Sequence, residues 1–488
     1  MARNRLRTNF ILNTVSQVLR IITPFVTTPY ISRVLGVDNV GIFSYSYSVQ
    51  SYFCLFAVLG TAAYGTREIA RNRDDRAKVS LAFWEIEALR TVTALVAMAG
   101  WAVVIGVADN RVIYILLSTY LVASMLDISW LYMGLEKFPF IVARTILVRI
   151  LEVVSIFVFV KGPNDLPIYC AIMGGGTLIG NITLWLNLGK CVDRVKRSSI
   201  NPWRHLKETL IYFLPSVATT IYTVLDKTLI GAITSSDYEN GIYEQATKVV
   251  EIAKAIAFVS LNTVMGPRSS YLYQSGQFDK IKANLKLSTD IMLTIGFGFA
   301  FGIAVVSDRF VPTFFGAGYD GVILLLKLLS PIIVIITVSS SLGDQYYNPA
   351  GLRLKTSMYL IAGAGVNLVL NLLLIPAFHS AGAVIASVIA EIVISSLYLI
   401  HCDGYMSLKT LLRLSWKKVI AGGVMVGAVL AAEPRIPSNV PGLFAVVAVG
   451  GIVYLAVLLA MRDSAMLYAV KEFTKRLRRG GKKTQSQE

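Results

Sequence analysis

The sequence predicts an all-α polytopic membrane protein of about fourteen transmembrane helices. Three observations predict it. Hydrophobic residues make up 55% of the chain and charged ones 15%, with a mean hydropathy of +0.63, the balance of a multi-span membrane protein. Apolar runs recur along the chain, each near the roughly 20 residues that cross a bilayer as a helix. Lys and Arg gather in alternate connections: the side holding both termini carries most of them, and the opposite loops hold only Arg33, Arg111, Lys161, Arg309 and Arg435. That asymmetry places both termini in the cytoplasm. It also accounts for the net charge of +17 without nucleic acid, since basic loops lie where anionic headgroups attract them.

The expected spans fall near 9–31, 41–62, 87–108, 112–133, 140–160, 167–189, 209–233, 241–266, 287–307, 321–341, 357–375, 381–400, 417–432 and 441–461. In the first, Asn9, Asn13, Ser16, Arg20, Thr23 and Thr27 recur at three and four and share one face. Pro24 and Pro29 bend its second half. Arg20 lies roughly 16 Å along that helix, deeper than a side chain can snorkel back from. It should therefore face protein or water, and an intramembrane cation is a functional hypothesis. Arg3, Arg5 and Arg7 resemble a signal start, but the apolar run is too long and lacks a small-residue cleavage site. The segment is expected to remain as an anchor.

Further spans carry their own marks. Asp127, beside Trp130 and Tyr132, reads as interface anchoring. Arg149 and Glu152 stand three apart on the fifth span, where a simple pair is the plainer reading. Gly174, Gly175, Gly176 and Gly180 miss the dinucleotide-loop spacing and read as close helix packing. Asp226 and Lys227 are adjacent, about 100° apart on a helix, so each needs a partner elsewhere. In the eighth span Glu244, Lys248, Glu251 and Lys254 run at four, three and three as one charged stripe, which must line a cavity or an interface. Asp290 reads as a carboxylate near a helix start. Glu391, mid-span in the twelfth, is either a proton carrier or a protonated carboxyl bonded to a neighbouring helix. Gly423 and Gly427, spaced for helix packing, mark the last pair of spans.

The chain also looks doubled. Val40-Gly41-Ile42-Phe43 opens the second span and Asn240-Gly241-Ile242-Tyr243 the eighth; Pro24 in the first span is matched by Pro215 in the seventh. This suggests two parallel six-helix lobes, 1–200 and 201–400, around a central cavity, joined by the basic linker Lys190 to Lys207. Residues 401–488 add two helices and a basic tail. No catalytic or nucleotide-binding signature stands out. Gly480-Gly481-Lys482-Lys483-Thr484 lacks the upstream glycine of a phosphate loop, and His205, His379 and His401 are scattered among loops. Cys54, Cys170, Cys191 and Cys402 have no metal-ligand spacing and read as small hydrophobes. Neither an enzyme nor a cofactor is expected.

Several runs resemble a known family. They are Asn13 with the Pro24 and Pro29 kinks, Leu35-Gly36 before Val40-Gly41-Ile42-Phe43, Leu225-Asp226-Lys227-Thr228-Leu229-Ile230-Gly231 and Gly241-Ile242-Tyr243. Val264-Met265-Gly266-Pro267-Arg268, Asn348-Pro349-Ala350-Gly351 and Val366-Asn367 through Ile375-Pro376 to Gly382-Ala383 continue the likeness. Together they resemble the polysaccharide (O-antigen type) flippases of the multidrug, oligosaccharidyl-lipid and polysaccharide exporter superfamily. The resemblance implies a bacterial cell-membrane protein that turns a glycan on a polyprenyl pyrophosphate from the cytoplasmic to the outer leaflet. Membrane lipids, a polysaccharide polymerase and glycosyltransferases would be its neighbours. Related branches carry the peptidoglycan precursor or export drugs, and these are the alternatives.

An anionic amphiphile of this kind calls for cations in a wet cavity, and arginine's fork suits phosphate oxygens. The candidates are Arg20, Arg149, Lys227, Lys248 and Lys254. Asp226, Glu244, Glu251 and Glu391 are the candidates for coupling transport to an ion gradient.

Overall fold

A computed structural model describes residues 22–472 and 474, and every described element is helical. Arg20 and the front of the first span lie outside the described residues. The chain divides into two compact units, one up to Glu244 and one from Gln245.

The first unit opens with a helix, α1 (22–35), that ends at Gly36, where φ is +80°. A left-handed backbone is natural to glycine, so the Leu35-Gly36 motif is a helix stop. There follow α2 (Val37–Val58), α3 (Thr61–Asn72), α4 (Arg76–Val107), α5 (Arg111–Met125), the short α6 (Ser129–Gly134), α7 (Phe138–Phe159) and α8 (Leu166–Trp185). Asp75 starts α4 by accepting from the Lys78 N–H at 3.1 Å. That bond holds the exposed carboxyl below its usual range, so its small stabilisation is present at neutral pH and is lost as pH falls through the lowered value. Three of the four glycines of α8 pack closely: a Cβ on Gly174 would strike Thr119, one on Gly176 would strike Glu152 and one on Gly180 would crowd Val148, while Gly175 meets nothing within 4 Å. After α8 comes α9 (Leu206–Thr234), carrying Pro215 and bent by 52° between Ile221 and Thr223.

The next helix, α10 (Asp237–Lys254), runs into a π-helical turn, Ala255–Val259. The second unit continues with α11 (Ser260–Gln274), α12 (Phe278–Phe314), α13 (Gly321–Leu329) and α14 (Ile332–Leu342), which leads into a second π-helical turn, Gly343–Tyr347. Next is α15 (Arg353–Ile400), then α16 (Leu408–Ala432) and α17 (Val440–Ala460). The 48 residues of α15 are two helices. His379 has φ 51° and ψ −133°, and a Cβ on Gly382 would lie 2.4 Å from the Leu374 carbonyl. Residues eight apart on one helix would sit roughly 12 Å apart, so the chain must reverse there. The reversal lets Gly363 meet Ile394, and it matches the two spans expected at 357–375 and 381–400.

Among the described residues nine helices are long and apolar enough to cross a membrane, or eleven with two bent pairs each taken as one span. The protein is a multi-span helical membrane protein. The expected total of fourteen also needs the two helices of α15 taken separately, the first span, and α7, whose middle carries Arg144, Arg149 and Glu152.

Two expectations are corrected. Gly423 and Gly427 meet nothing within 4 Å, so their spacing does not mediate packing; Gly422 lies against Phe301 instead. Asp290 is no helix-start residue, because α12 begins at Phe278 and the dipole's influence fades within the first turn. Its partner is Lys418 on α16, Nζ to Oδ1 2.7 Å, and Asp463 completes a fully buried triad at 2.9 Å.

Candidate functional site

In the first unit the two copies of the repeated glycine motif meet each other. A Cβ on Gly41 would lie 1.8 Å from the Asp237 carbonyl oxygen, and one on Gly241 would lie 2.2 Å from that of Val37. One turn further on, Ser44 Oγ donates to Glu244 Oε2 at 2.8 Å. Positions 200 residues apart thus touch as pairs, 41 with 241 and 44 with 244. The sequence repeat is therefore a spatial contact.

That crossing brings α10 against the end of α9 and supplies the partners that Asp226 and Lys227 need. Lys227 Nζ lies 2.6 Å from Glu244 Oε2, and Tyr243 Oη donates to Asp226 Oδ2 at 2.5 Å. Two neighbours on one helix face two neighbours on the next, with both carboxylates at least nine-tenths buried. Ser48 and Thr228 extend the polar seam at 3.0 Å. Arg149 pairs with Glu152 at 2.9 Å, the plainer of the two readings, and its guanidinium remains half exposed. The Glu152 end of that pair borders a second, mostly apolar cavity of about 310 Å³ between α7 and α8.

The second unit holds a cavity of about 510 Å³. Its wall includes Glu251 and Lys254, paired at 2.9 Å, so this end of the charged stripe does line a cavity. The wall also holds Asn262, Ser340 and Asp344. Asn262 Nδ2 donates to Ser340 Oγ at 2.9 Å and to Asp344 Oδ2 at 2.6 Å, and its Oδ1 accepts from Gln345 Nε2 at 3.1 Å. Ser288 Oγ donates to Gln345 Oε1 at 2.5 Å. The only sequence signal was position: Asp344 shortly precedes the Asn348-Pro349-Ala350-Gly351 motif. Glu391 lies apart from this wall and accepts from Ser339 Oγ at 2.8 Å. Lys248 has polar or electrostatic partners of its own.

His205 is no loose loop residue. It is buried, with Nε2 2.9 Å from Glu85 Oε2 and Nδ1 2.7 Å from Tyr64 Oη. Glu85 also takes the Asn201 N–H and Arg204, so one buried carboxylate ties the linker to α4, and His205 ties it to α3 through Tyr64. Glu85→Gln is expected to loosen that tie, read as faster proteolytic nicking between 190 and 205 in isolated membranes; unchanged nicking would refute the tie.

The four cysteines are free, and among the described residues no group of three or more His, Cys, Asp or Glu could hold a metal ion.

Residues 6–273, more than half of the chain, match the family described as polysaccharide biosynthesis protein. The chain belongs to this family. A protein of Escherichia coli (strain K12) named as an O-antigen transporter is 25% identical over 402 residues, 81% of this chain and 96% of that protein. A protein of Haloferax volcanii named as a low-salt glycan biosynthesis flippase is 24% identical over 50% of this chain and 52% of its own length. The fold is shared with the lipid II flippase MurJ in an inward closed conformation, at a TM-score of 0.72 and 14% identity, covering 93% of this chain and 99% of that one. An inward-facing MATE-family multidrug transporter matches at 0.54 and 13% identity over 80% and 94%.

Proposed function

We propose that this protein is a flippase that moves a polyprenyl-pyrophosphate-linked oligosaccharide from the cytoplasmic to the outer leaflet of a cell membrane, for cell-surface polysaccharide synthesis. The observation that carries the reading is the match along 81% of the chain to a protein named as an O-antigen transporter. The geometry supplies what such cargo needs. The sugars and pyrophosphate cannot cross hydrocarbon unaided, and the polar seam and cavity offer them partners. A second reading, a peptidoglycan-precursor flippase, is favoured by the MurJ fold and asks the same chemistry of the site.

In this proposal both termini are cytoplasmic and two lobes, 1–200 and 201–400, alternate access to the two leaflets. Arg20, Arg149, Lys227, Lys248 and Lys254 attract the pyrophosphate. Asp226, Glu244, Glu251 and Glu391 couple the cycle to an ion gradient. The relatives are named transporters and flippases, and no catalysis is assigned to the chain.

Deleting the gene from its host should stop surface glycan display and leave lipid-linked oligosaccharide accumulating inside the membrane; normal display would overturn the reading. Complementing with Lys227→Ala should return the protein but little export. Losing a charge-assisted contact of about 1.5–3 kcal/mol leaves Glu244 dependent on its remaining partners. Adding Glu244→Gln should restore thermal stability without restoring export. Full export by Lys227→Ala would remove Lys227 from the site.

A further inference from the structure

We infer that the cavity of the second unit binds sugar, with Asp344 as the residue that recognises a hydroxyl group on the first sugar of the glycan and Asn262 as the residue that holds Asp344 in place. The inference rests on the flippase reading and adds to it where the uncharged part of the cargo is held.

The lining decides the ligand class. Lys254 can help attract a pyrophosphate, but holding one needs net positive charge, and Glu251 and Asp344 on the same wall outweigh that single cation. A metal or sodium ion needs a cluster of oxygens around an open centre. Here the Nδ2 of Asn262 lies between Ser340 Oγ and Asp344 Oδ2, at 2.9 and 2.6 Å, so a donor holds the position a cation would take. Ala255, Phe258 and the carbon stems around them give the wall an apolar face, but a wholly apolar drug would leave Glu251, Lys254 and Asp344 on the same wall unmatched. A sugar ring presents donors and acceptors together above an apolar face. Carboxylates to accept, an ammonium to donate, two hydroxyls and one aromatic ring form the complementary set, with the Asn262 amide holding Asp344 in place. The cavity volume of about 510 Å³ lies within the range of small-molecule sites.

The backbone points the same way independently. Two walls of the cavity come from or abut π-helical turns, Ala255–Val259 and Gly343–Tyr347. Such turns are rare and concentrate at functional sites. In Gly343–Tyr347 the wide turn sets Asp344 toward Asn262 while Gln345 reaches it too, so one amide is held by both. The network fixes the amide, and Asp344 Oδ1, which among the described residues accepts one long 3.2 Å bond from Asn348, has capacity for a ligand hydroxyl.

The test uses the purified full chain in lipid nanodiscs and two kinds of probe. One is bare undecaprenyl pyrophosphate. The other is the same lipid carrying one sugar, prepared once with N-acetylglucosamine and once with galactose. The wild type is expected to bind at least one sugar-bearing lipid about tenfold more tightly than the bare lipid, the worth of one hydrogen bond to a charged group. Asp344→Asn and Asn262→Ala are expected to bring that ratio close to one while affinity for the bare lipid is unchanged, which also shows that the variants are folded. Ser340→Ala, the mildest change, is expected to lower the ratio without abolishing it. Variants that keep the full ratio would overturn the sugar site and leave the flippase reading standing. A wild type that binds the lipids but ignores the sugar would do the same. A wild type that binds none of them would overturn both. Sodium-dependent stabilisation lost in Asp344→Asn would make the cavity a cation site and end the proposal.

Discussion

Lys418→Ala is expected to cost the second unit about 3–5 kcal/mol, the penalty for removing one partner of a buried ion pair. Lys418 is fully buried and bridges Asp290 on α12 and Asp463 beyond α17. Neither carboxylate is idle. Asp290 also accepts from Ser464 Oγ at 2.5 Å, and Asp463 caps the helix that follows it by accepting the Ala465 N–H at 3.1 Å. Without the ammonium, two buried carboxylates face each other. The readout is membrane abundance and the midpoint of thermal unfolding in detergent. Lys418→Met combined with Asp290→Asn and Asp463→Asn should recover much of the loss, because a neutral cluster of similar volume removes the uncompensated charge. Neighbouring Lys417 is the control. It lies across the helix surface and donates to the Met461 and Arg462 carbonyls at the end of α17, so Lys417→Ala should cost far less.

Gly41→Ala is expected to destabilise the first unit, against the ordinary trend for glycine in a helix. Alanine normally gains about 1 kcal/mol there. At Gly41 the added carbon would lie 1.8 Å from the Asp237 carbonyl oxygen and 3.0 Å from the Gly241 nitrogen, both backbone atoms that cannot swing aside. Overpacking of this kind costs about 1–3 kcal/mol and sometimes more. It would also displace Glu244 from Ser44 and Lys227, so transport should fall along with stability. Gly41→Leu should fail to accumulate. Gly423→Ala, where the new carbon meets nothing, should be neutral or slightly stabilising. Equal behaviour of Gly41→Ala and Gly423→Ala would show that α2 and α10 do not cross closely.

The contrast between those glycines shows what the sequence could disclose. Span positions were legible because hydrophobic length and proline placement are local: Pro215 lies in a bent helix, and the two spans inside α15 stand on either side of its reversal. The need of Asp226 and Lys227 for outside partners followed from helix geometry, and both partners are found. Which helix would supply them did not follow, because only the fold sets Tyr243 and Glu244 of α10 against α9. Gly423 and Gly427 have the spacing of a packing motif but face open space, since spacing alone cannot say whether a neighbour is there. Lys418 was invisible as a triad because its partners are 128 and 45 residues away. Asn262, Gln345 and Ser340 are neutral and leave no mark in the sequence, and their chemistry appears only once the fold brings them together.

The central claim is that the chain alone moves a glycan-bearing polyprenyl pyrophosphate between leaflets. It is tested most directly in proteoliposomes holding that lipid, by the fraction of sugar that a membrane-impermeant oxidant can reach. With the wild type, sugar from both leaflets should become accessible; with Lys227→Ala, mainly that of the outer leaflet. Accessibility confined to the outer leaflet in wild-type vesicles, with or without an imposed proton or sodium gradient, would contradict the account.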